Sequence, residues 1–185
     1  MIDGNLHWLL SYYRASEISG ALFFGELSRT LPPSAIQQDM TRHFADEASH
    51  ARYWTDCLAE LGVAPLKLGV AYQDRYLDAA GIPANLMEIL AITQVFEKRV
   101  VSQYALHGKS PDTPEMVRKT LARILDDEER HIRWIREALK DLEGAYGGET
   151  ISAALKRYTL ADRDVYRRTT QEHRERIGAL RLAAR

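Results

Sequence analysis

Apolar residues recur along this chain at alternating intervals of four and three, and at a few of those positions an acid or a histidine stands where leucine would be expected. Over residues 5–31, Leu6, Leu10, Tyr13, Glu17, Gly20, Phe24, Leu27 and Leu31 fall on one stripe. That is the narrow seam by which helices pack in bundles. Pro32-Pro33 breaks this helix, and Ser34 is suited to cap the next. The second helix, over 34–62, has the seam Met40, His43, Glu47, His50, Trp54, Cys57 and Leu61, and ends at Gly62 with Pro65 beyond. Residues 63–83 form a connection with a short helix at 70–80. A third helix over 84–107 follows Leu86, Leu90, Thr93, Glu97, Val100 and Tyr104. From Gly108 the chain loops, with Thr113 as cap and Pro114 as first residue of a fourth helix over 114–143. Its seam is Val117, Leu121, Ile124, Glu128, His131, Ile135, Ala138 and Leu142, stopped by Gly144, Gly147 and Gly148.

These elements predict an all-α fold: a four-helix bundle with a long crossover between helices 2 and 3, which makes the two hairpins parallel neighbours. A chain of 185 residues is most simply one domain with a sizeable core. The bundle is expected over 1–148 and a helical extension over 149–185. Ile151, Ala154, Leu155 and Tyr158 give that extension a face to dock with, while its end, Arg174 to Arg185, is expected to fray.

The polar seam positions form a pattern of their own. Asp46-Glu47-Ala48-Ser49-His50 and Asp127-Glu128-Glu129-Arg130-His131 both read Asp-Glu-x-x-His. Residues three apart share a helix face, so Glu47 sits beside His50 and Glu128 beside His131. Glu17 precedes Glu47 by 30 residues and Glu97 precedes Glu128 by 31, so the whole set repeats at 80 or 81 residues. Two similar hairpins would bring Glu plus Glu-x-x-His to a common axis from each side. Burying one unpaired carboxylate costs several kcal/mol, and four around one axis also repel. Two divalent cations would cancel four glutamates, and two neutral histidines would complete the ligand set. Six protein ligands for two metals leave open positions where O2 or peroxide can bind. Imidazole suits iron better than magnesium or calcium, and Fe/Fe, Mn/Fe and Mn/Mn can all use this set.

Other residues are placed around that centre. Asp46 and Asp127 precede the ligand glutamates, and each is expected to hold the histidine of the opposite motif, Asp46 to His131 and Asp127 to His50. Trp54, one turn beyond His50, is read as core packing, with redox relay as the competing role, and Tyr13 and Tyr104 are read the same way. His43 and His107 lie toward bundle ends and are read as surface or core histidines rather than ligands. Cys57 reads as a small buried hydrophobe, and as the single cysteine it permits no internal disulfide.

Charge narrows the partners. The net charge of −1 gives the whole molecule no bulk affinity for nucleic acid or membrane. Thr150 to Arg185 carry nine Lys or Arg against four Asp or Glu. The acids Asp162, Asp164, Glu172 and Glu175 make this a solvated or subunit-packing helix rather than a nucleic-acid arm. No signal-peptide pattern or spanning apolar run is present, so the cytoplasm is the expected compartment.

At the six metal-ligand positions the chain resembles the ferritin-like superfamily of di-metal carboxylate proteins, over about residues 5–143. The resemblance implies that Glu17, Glu47 and His50 hold one metal and Glu97, Glu128 and His131 the other, with Glu47 and Glu128 as bridges. Ribonucleotide reductase small subunits, whose radical tyrosine stands where this chain has Trp54, use an Asp like Asp127 to support a ligand histidine. Rubrerythrins carry an extra helix-three glutamate where this chain has Gln94, and a four-cysteine module that this chain lacks. Bacterioferritin places its haem methionine where this chain has Ala48. The expected function is a non-haem di-iron or Mn/Fe oxidase or oxygenase that turns O2 or peroxide on a small organic substrate. It would draw electrons from a separate donor and act as a monomer or homodimer. The alternatives are a ferroxidase or iron-handling protein, a rubrerythrin-like peroxidase, and a tRNA-hydroxylase-like modification enzyme.

Overall fold

The computed structural model describes residues 2–69 and 72–174, and these are all-helical, with no strand among them. Seven helices are described: α1 (Gly4–Thr30), α2 (Ala35–Glu60), α3 (Tyr72–Ala80), α4 (Leu86–Lys109), α5 (Glu115–Asp141), α6 (Glu143–Tyr146) and α7 (Gly148–Glu172). No helix among the described residues is long and apolar enough to cross a membrane. The expected fraying of Arg174 to Arg185 concerns residues that, from 175 on, lie outside the described set.

Side chains set the starts of α1, α2 and α4. The Asp3 carboxylate accepts from the Asn5 and Leu6 amides at 3.0 and 3.3 Å, Ser34 Oγ from Gln37 N at 3.1 Å, and Asn85 Oδ1 from Glu88 N at 3.0 Å. At the end of α2, Gly62 takes φ 78°. Gly62 N then reaches Ala59 O and Val63 N reaches Leu58 O, satisfying carbonyls that the helix leaves open.

Two boundaries differ from the expectation. Helix α4 runs through Gly108 to Lys109, and Pro114 is the N-cap of α5 with no side-chain cap bond. The Thr113 hydroxyl, expected to cap α5, instead donates to His107 O at 2.7 Å. Arg118 closes the turn by donating to the carbonyls of Gly108, Ser110 and Pro111 at 2.5, 2.8 and 3.1 Å. Further on, Gly144 lies inside α6, and Gly147, at φ 82°, turns the chain straight into α7.

Helices α1 and α2 pack together along their length, as do α4 and α5, and α2 meets α5 across the centre. Contacts between α1 and α2 run antiparallel, from Gln37 Nε2 to Ser28 O at 2.9 Å to Arg14 Nε to Thr55 Oγ1 at 2.7 Å. The core between them holds Leu10, Met40, Trp54, Leu58, Met87, Leu90, Leu121, Ile124 and Ile135, all nearly or fully excluded from solvent. Helix α7 lies along α4 and α3 through Ile151, Ala154, Tyr158, Asp162, Val165 and Thr169. Its one buried acid, Asp162, accepts from Arg99 at 2.5 Å and from the Tyr72 hydroxyl at 3.0 Å, so the charge is paired where it is desolvated.

Candidate metal centre

The apolar seams of α1, α2, α4 and α5 carry Glu17, Glu47, His50, Glu97, Glu128 and His131 into that core, and none of the six is more than 4% exposed. Leu10 and Met40 lie two turns before Glu17 and Glu47, Leu90 two turns before Glu97, and Ile124 and Ile135 one turn either side of the last motif. The polar set is therefore walled by hydrocarbon along each helix.

The ligand atoms converge in two groups. Glu17, Glu47, His50 and Glu128 offer atoms that all lie within 4.8 Å of one another, and so do His43, Glu47, Glu97 and His131. Each group could hold a metal ion, and Glu47 belongs to both. Its Oε1 lies 3.3 Å from His43 Nε2, 3.9 Å from His50 Nδ1 and 3.8 Å from His131 Nδ1. Glu128 spans the histidines of both motifs, with Oε1 3.3 Å from His50 Nδ1 and Oε2 3.2 Å from His131 Nδ1. His43, read from the sequence as a non-ligand histidine, stands in the second group, with Nε2 3.2 Å from Glu97 Oε1.

The histidines of the two motifs are held from behind by the crossed aspartates. His131 Nε2 is 3.1 Å from Asp46 Oδ2, and His50 Nε2 is 3.1 Å from Asp127 Oδ2. With Nε2 donating to the carboxylate, each ring turns Nδ1 toward the glutamates, and that nitrogen becomes a ligand when its own proton leaves. Arg130 joins the two aspartates, 3.3 Å from Asp46 Oδ2 and 2.5 Å from Asp127 Oδ1. Asp127 lies three residues before Arg130 on α5, whereas Asp46 reaches it only through the antiparallel α2–α5 pairing, and that cross-helix half of the clamp was not anticipated. Glu17 is oriented from the other side. Its Oε1 accepts from Trp54 Nε1 at 3.3 Å and from the Tyr104 hydroxyl, leaving Oε2 facing His50 Nδ1 at 3.7 Å. Trp54 thus packs in the core and also positions a carboxylate. Tyr13 packs against both, its ring tilted to Trp54 at 5.3 Å and edge-on to Tyr104 at 4.7 Å. His107 and Cys57 are buried outside the cluster. Gln94, one turn before Glu97, is buried with neither end of its amide hydrogen-bonded.

Protons settle the charge of such a cluster when no cation does. Burial pushes the Glu47 carboxyl well above the usual carboxylate range, and the charges of Glu17 and Glu128 push the same way. Glu97 rises for the same reasons, from burial and from Glu128 and Glu47. Burial works against ionised Glu128 too, but its contacts with His131 and His50 outweigh it and hold that carboxyl well below the usual range. His50 is pushed up to about 12: burial would lower it, and the carboxylates of Glu128 and Glu17 prevail. His131 rises likewise against burial, through Asp46 and Glu128. His43 goes the other way, lowered by burial and by the neighbouring His131, and is a neutral ring.

Three features show that the residues fit a pair of cations. Buried atoms of the cluster lack hydrogen-bond partners: both nitrogens of His43, Nδ1 of His50 and Oε1 of Glu97. Such orphans are rare in native interiors unless something else satisfies them. The donors are carboxylate oxygens and imidazole nitrogens, the set that iron and manganese share. Space is reserved as well: a Cβ on Gly20 would come within 2.3 Å of Glu47 Oε2, so the glycine leaves room for that carboxylate. No family model, no curated protein and no solved structure matches this chain.

Proposed function

We propose that the chain is a ferritin-like di-metal protein, a non-haem di-iron or Mn/Fe oxidase or oxygenase acting with O2 or peroxide on a small organic substrate. The observation that carries the reading is the pair of buried groups sharing Glu47, walled by hydrocarbon and held by a second layer of donors and acceptors. On this reading Glu17, Glu47, His50, Glu97, Glu128 and His131 hold two metals, with Glu47 and Glu128 placed to contact both. The metals, when bound, supply redox equivalents and open positions for an oxygen species.

The chain's own residues do the rest. Asp46 and Asp127 keep a proton on Nε2 of His131 and His50, which fixes the rings with Nδ1 inward. Arg130 ties those aspartates together so that neither turns away. Trp54 and Tyr104 fix Glu17 by two hydrogen bonds to one oxygen. The apolar seams exclude water, which would otherwise compete for open positions and quench reactive oxygen.

The test is anaerobic Fe(II) titration of the metal-free chain, followed by stopped-flow mixing with O2. Saturation near two Fe(II) per chain with a transient visible absorbance band supports the oxidase or oxygenase and justifies a substrate screen. Iron that is oxidised without a discrete band and keeps accumulating points instead to iron handling. Failure to bind iron or manganese stoichiometrically would overturn the di-metal reading.

A further inference from the structure

We propose that His43 is a seventh metal ligand and that it makes the two cation positions chemically unequal. The inference rests on the di-metal reading above and goes beyond its six ligands. His43 lies one turn before Glu47 and two turns before His50 on the same face of α2, so the helix presents His-x-x-x-Glu-x-x-His to the cluster. Its ring is 1% exposed, and both of its nitrogens are buried without a hydrogen-bond partner. Nε2 lies 3.3 Å from Glu47 Oε1 and 3.2 Å from Glu97 Oε1, close to both yet aligned for a hydrogen bond with neither. A nitrogen lone pair and two carboxylate oxygens converging in this way, with His131 completing the group, are arranged for a cation rather than for one another.

The ring cannot turn aside. Phe24 stacks on it with centroids 3.8 Å apart, His131 with centroids 3.6 Å apart, and the edge of Trp134 closes a third side. His50 and His131 are oriented by carboxylates on their far nitrogens, whereas the far nitrogen of His43 meets none and stacking orients the ring instead.

The inequality follows from the donor count. With Glu47 and Glu128 counted at both positions, His43, His131 and Glu97 complete one and His50 and Glu17 the other, so the first has one imidazole more for the same number of carboxylates. Nitrogen-rich donor sets favour later first-row metals, and oxygen-rich sets suit manganese. The position bounded by His43, Glu97 and His131 therefore binds Co(II) or Fe(II) more tightly than the position bounded by Glu17, His50 and Glu128, and Mn(II) is relatively favoured at the latter.

His43→Phe tests this directly, because phenylalanine keeps a ring between Phe24 and His131 and removes both nitrogens. Metal-free wild-type and variant chains are titrated anaerobically with Co(II), followed by its visible absorbance and by calorimetry. Wild type is expected to bind two Co(II) per chain in two unequal steps. The variant should keep the weaker step and lose at least about tenfold in the tighter one, with a changed Co(II) spectrum. Helical content and melting of the metal-free variant show whether the stack is intact; if His43→Phe does not fold, His43→Gln is read by the same criteria. Two steps and a spectrum unchanged from wild type would overturn the assignment of His43 alone. A wild-type chain that takes up no Co(II) would overturn the di-metal reading and this inference together.

Discussion

Gly20 separates the stability of the helix from the chemistry of the centre. In the interior of α1, replacing glycine by alanine ordinarily gains about 1 kcal/mol of helix stability. Here the new Cβ would stand 2.3 Å from Glu47 Oε2 and 3.2 Å from its Cδ, so the oxygen must retreat by about 1.1 Å to reach ordinary contact at 3.4 Å. A glutamate side chain can swing that far, and the metal-free chain should stay within about 1 kcal/mol of wild type, the helix gain offsetting the local crowding. Metal ligation has no such latitude. Donor distances are useful only within about 0.2 Å, and Glu47 belongs to both groups, so both positions suffer.

The expected loss is about 100-fold in affinity at each position, and it can be read from melting. At a cation concentration of about 100 times the wild-type Kd, each occupied site stabilises the wild-type fold by about 2.7 kcal/mol. At the same concentration a 100-fold weaker site contributes only about 0.4 kcal/mol. Gly20→Ala should therefore melt like wild type without metal and show little shift with Co(II) or Mn(II). Gly25→Ala is the control on the same helix, since the nearest atoms to its Cβ are those of the Phe44 ring at 3.3 Å, and it should leave the metal shift intact. A Gly20→Ala chain that retains the full wild-type metal shift would refute the placement of Glu47 as the shared ligand.

Three further outcomes are expected. Asp127→Ala removes the acceptor behind His50 and should weaken metal binding by about 10- to 100-fold, measured by calorimetry, while helical content is unchanged. His107, buried and beside Arg118, has its pKa lowered to about 4 by burial and then by that cation. Below about pH 6.5 the unfolded chain takes up a proton that the folded chain refuses until about pH 4, so stability falls by roughly 3 kcal/mol across that window as pH drops. His107→Phe should flatten that loss in urea titrations run between pH 7 and 4, and an unchanged acid profile would remove His107 as its cause. Asp162→Ala leaves Arg99 and the Tyr72 hydroxyl without their acceptor and should cost about 3 kcal/mol in urea. It should also open α7 to limited proteolysis before the rest of the chain, and cleavage elsewhere first would count against α7 being held at that point.

The helices were legible because a seam of alternating fours and threes reports which face of a helix is buried, and that face is local information. The same seams exposed the six candidate ligands as acids and histidines in leucine positions. What the seams do not report is depth along the helix axes, which depends on how neighbouring helices are staggered. His43 shows the consequence: its seam position was plain, but its place beside Glu97 depends on where α4 lies against α2. The bond from Tyr104 to Glu17 and the reach of Arg130 to Asp46 are cross-helix relations of the same kind. Turn chemistry failed for a different reason. Thr113 and Pro114 carry the local signature of a helix start, but the Thr113 hydroxyl is drawn to His107 O and Arg118 closes the loop in its place. Gly20 did leave a signal in the sequence, a glycine at a buried helical position where a larger apolar residue would stabilise the fold, and the reason for it lies on another helix.

A core that gathers four glutamates and three histidines must limit its charge before any cation arrives, and the directions in which six of these groups are pushed show how it does so. Glu47 and Glu97 are pushed toward the protonated form, Glu128 toward the ionised form between two raised histidines, and His43 toward the neutral ring. The separation is the ordinary outcome when like charges share a dry site. It means the scaffold can close with protons alone. The donors and acceptors behind the cluster, namely Trp54, Tyr104, Asp46, Asp127 and Arg130, then hold the ligands near their working positions without a metal to organise them. On the proposed reading, metal binding is therefore an exchange of cations for protons in a site already built, rather than a folding event. Such a site can be emptied and refilled without unfolding, which is what allows the availability of iron or manganese, rather than the order of folding, to decide which metal it carries.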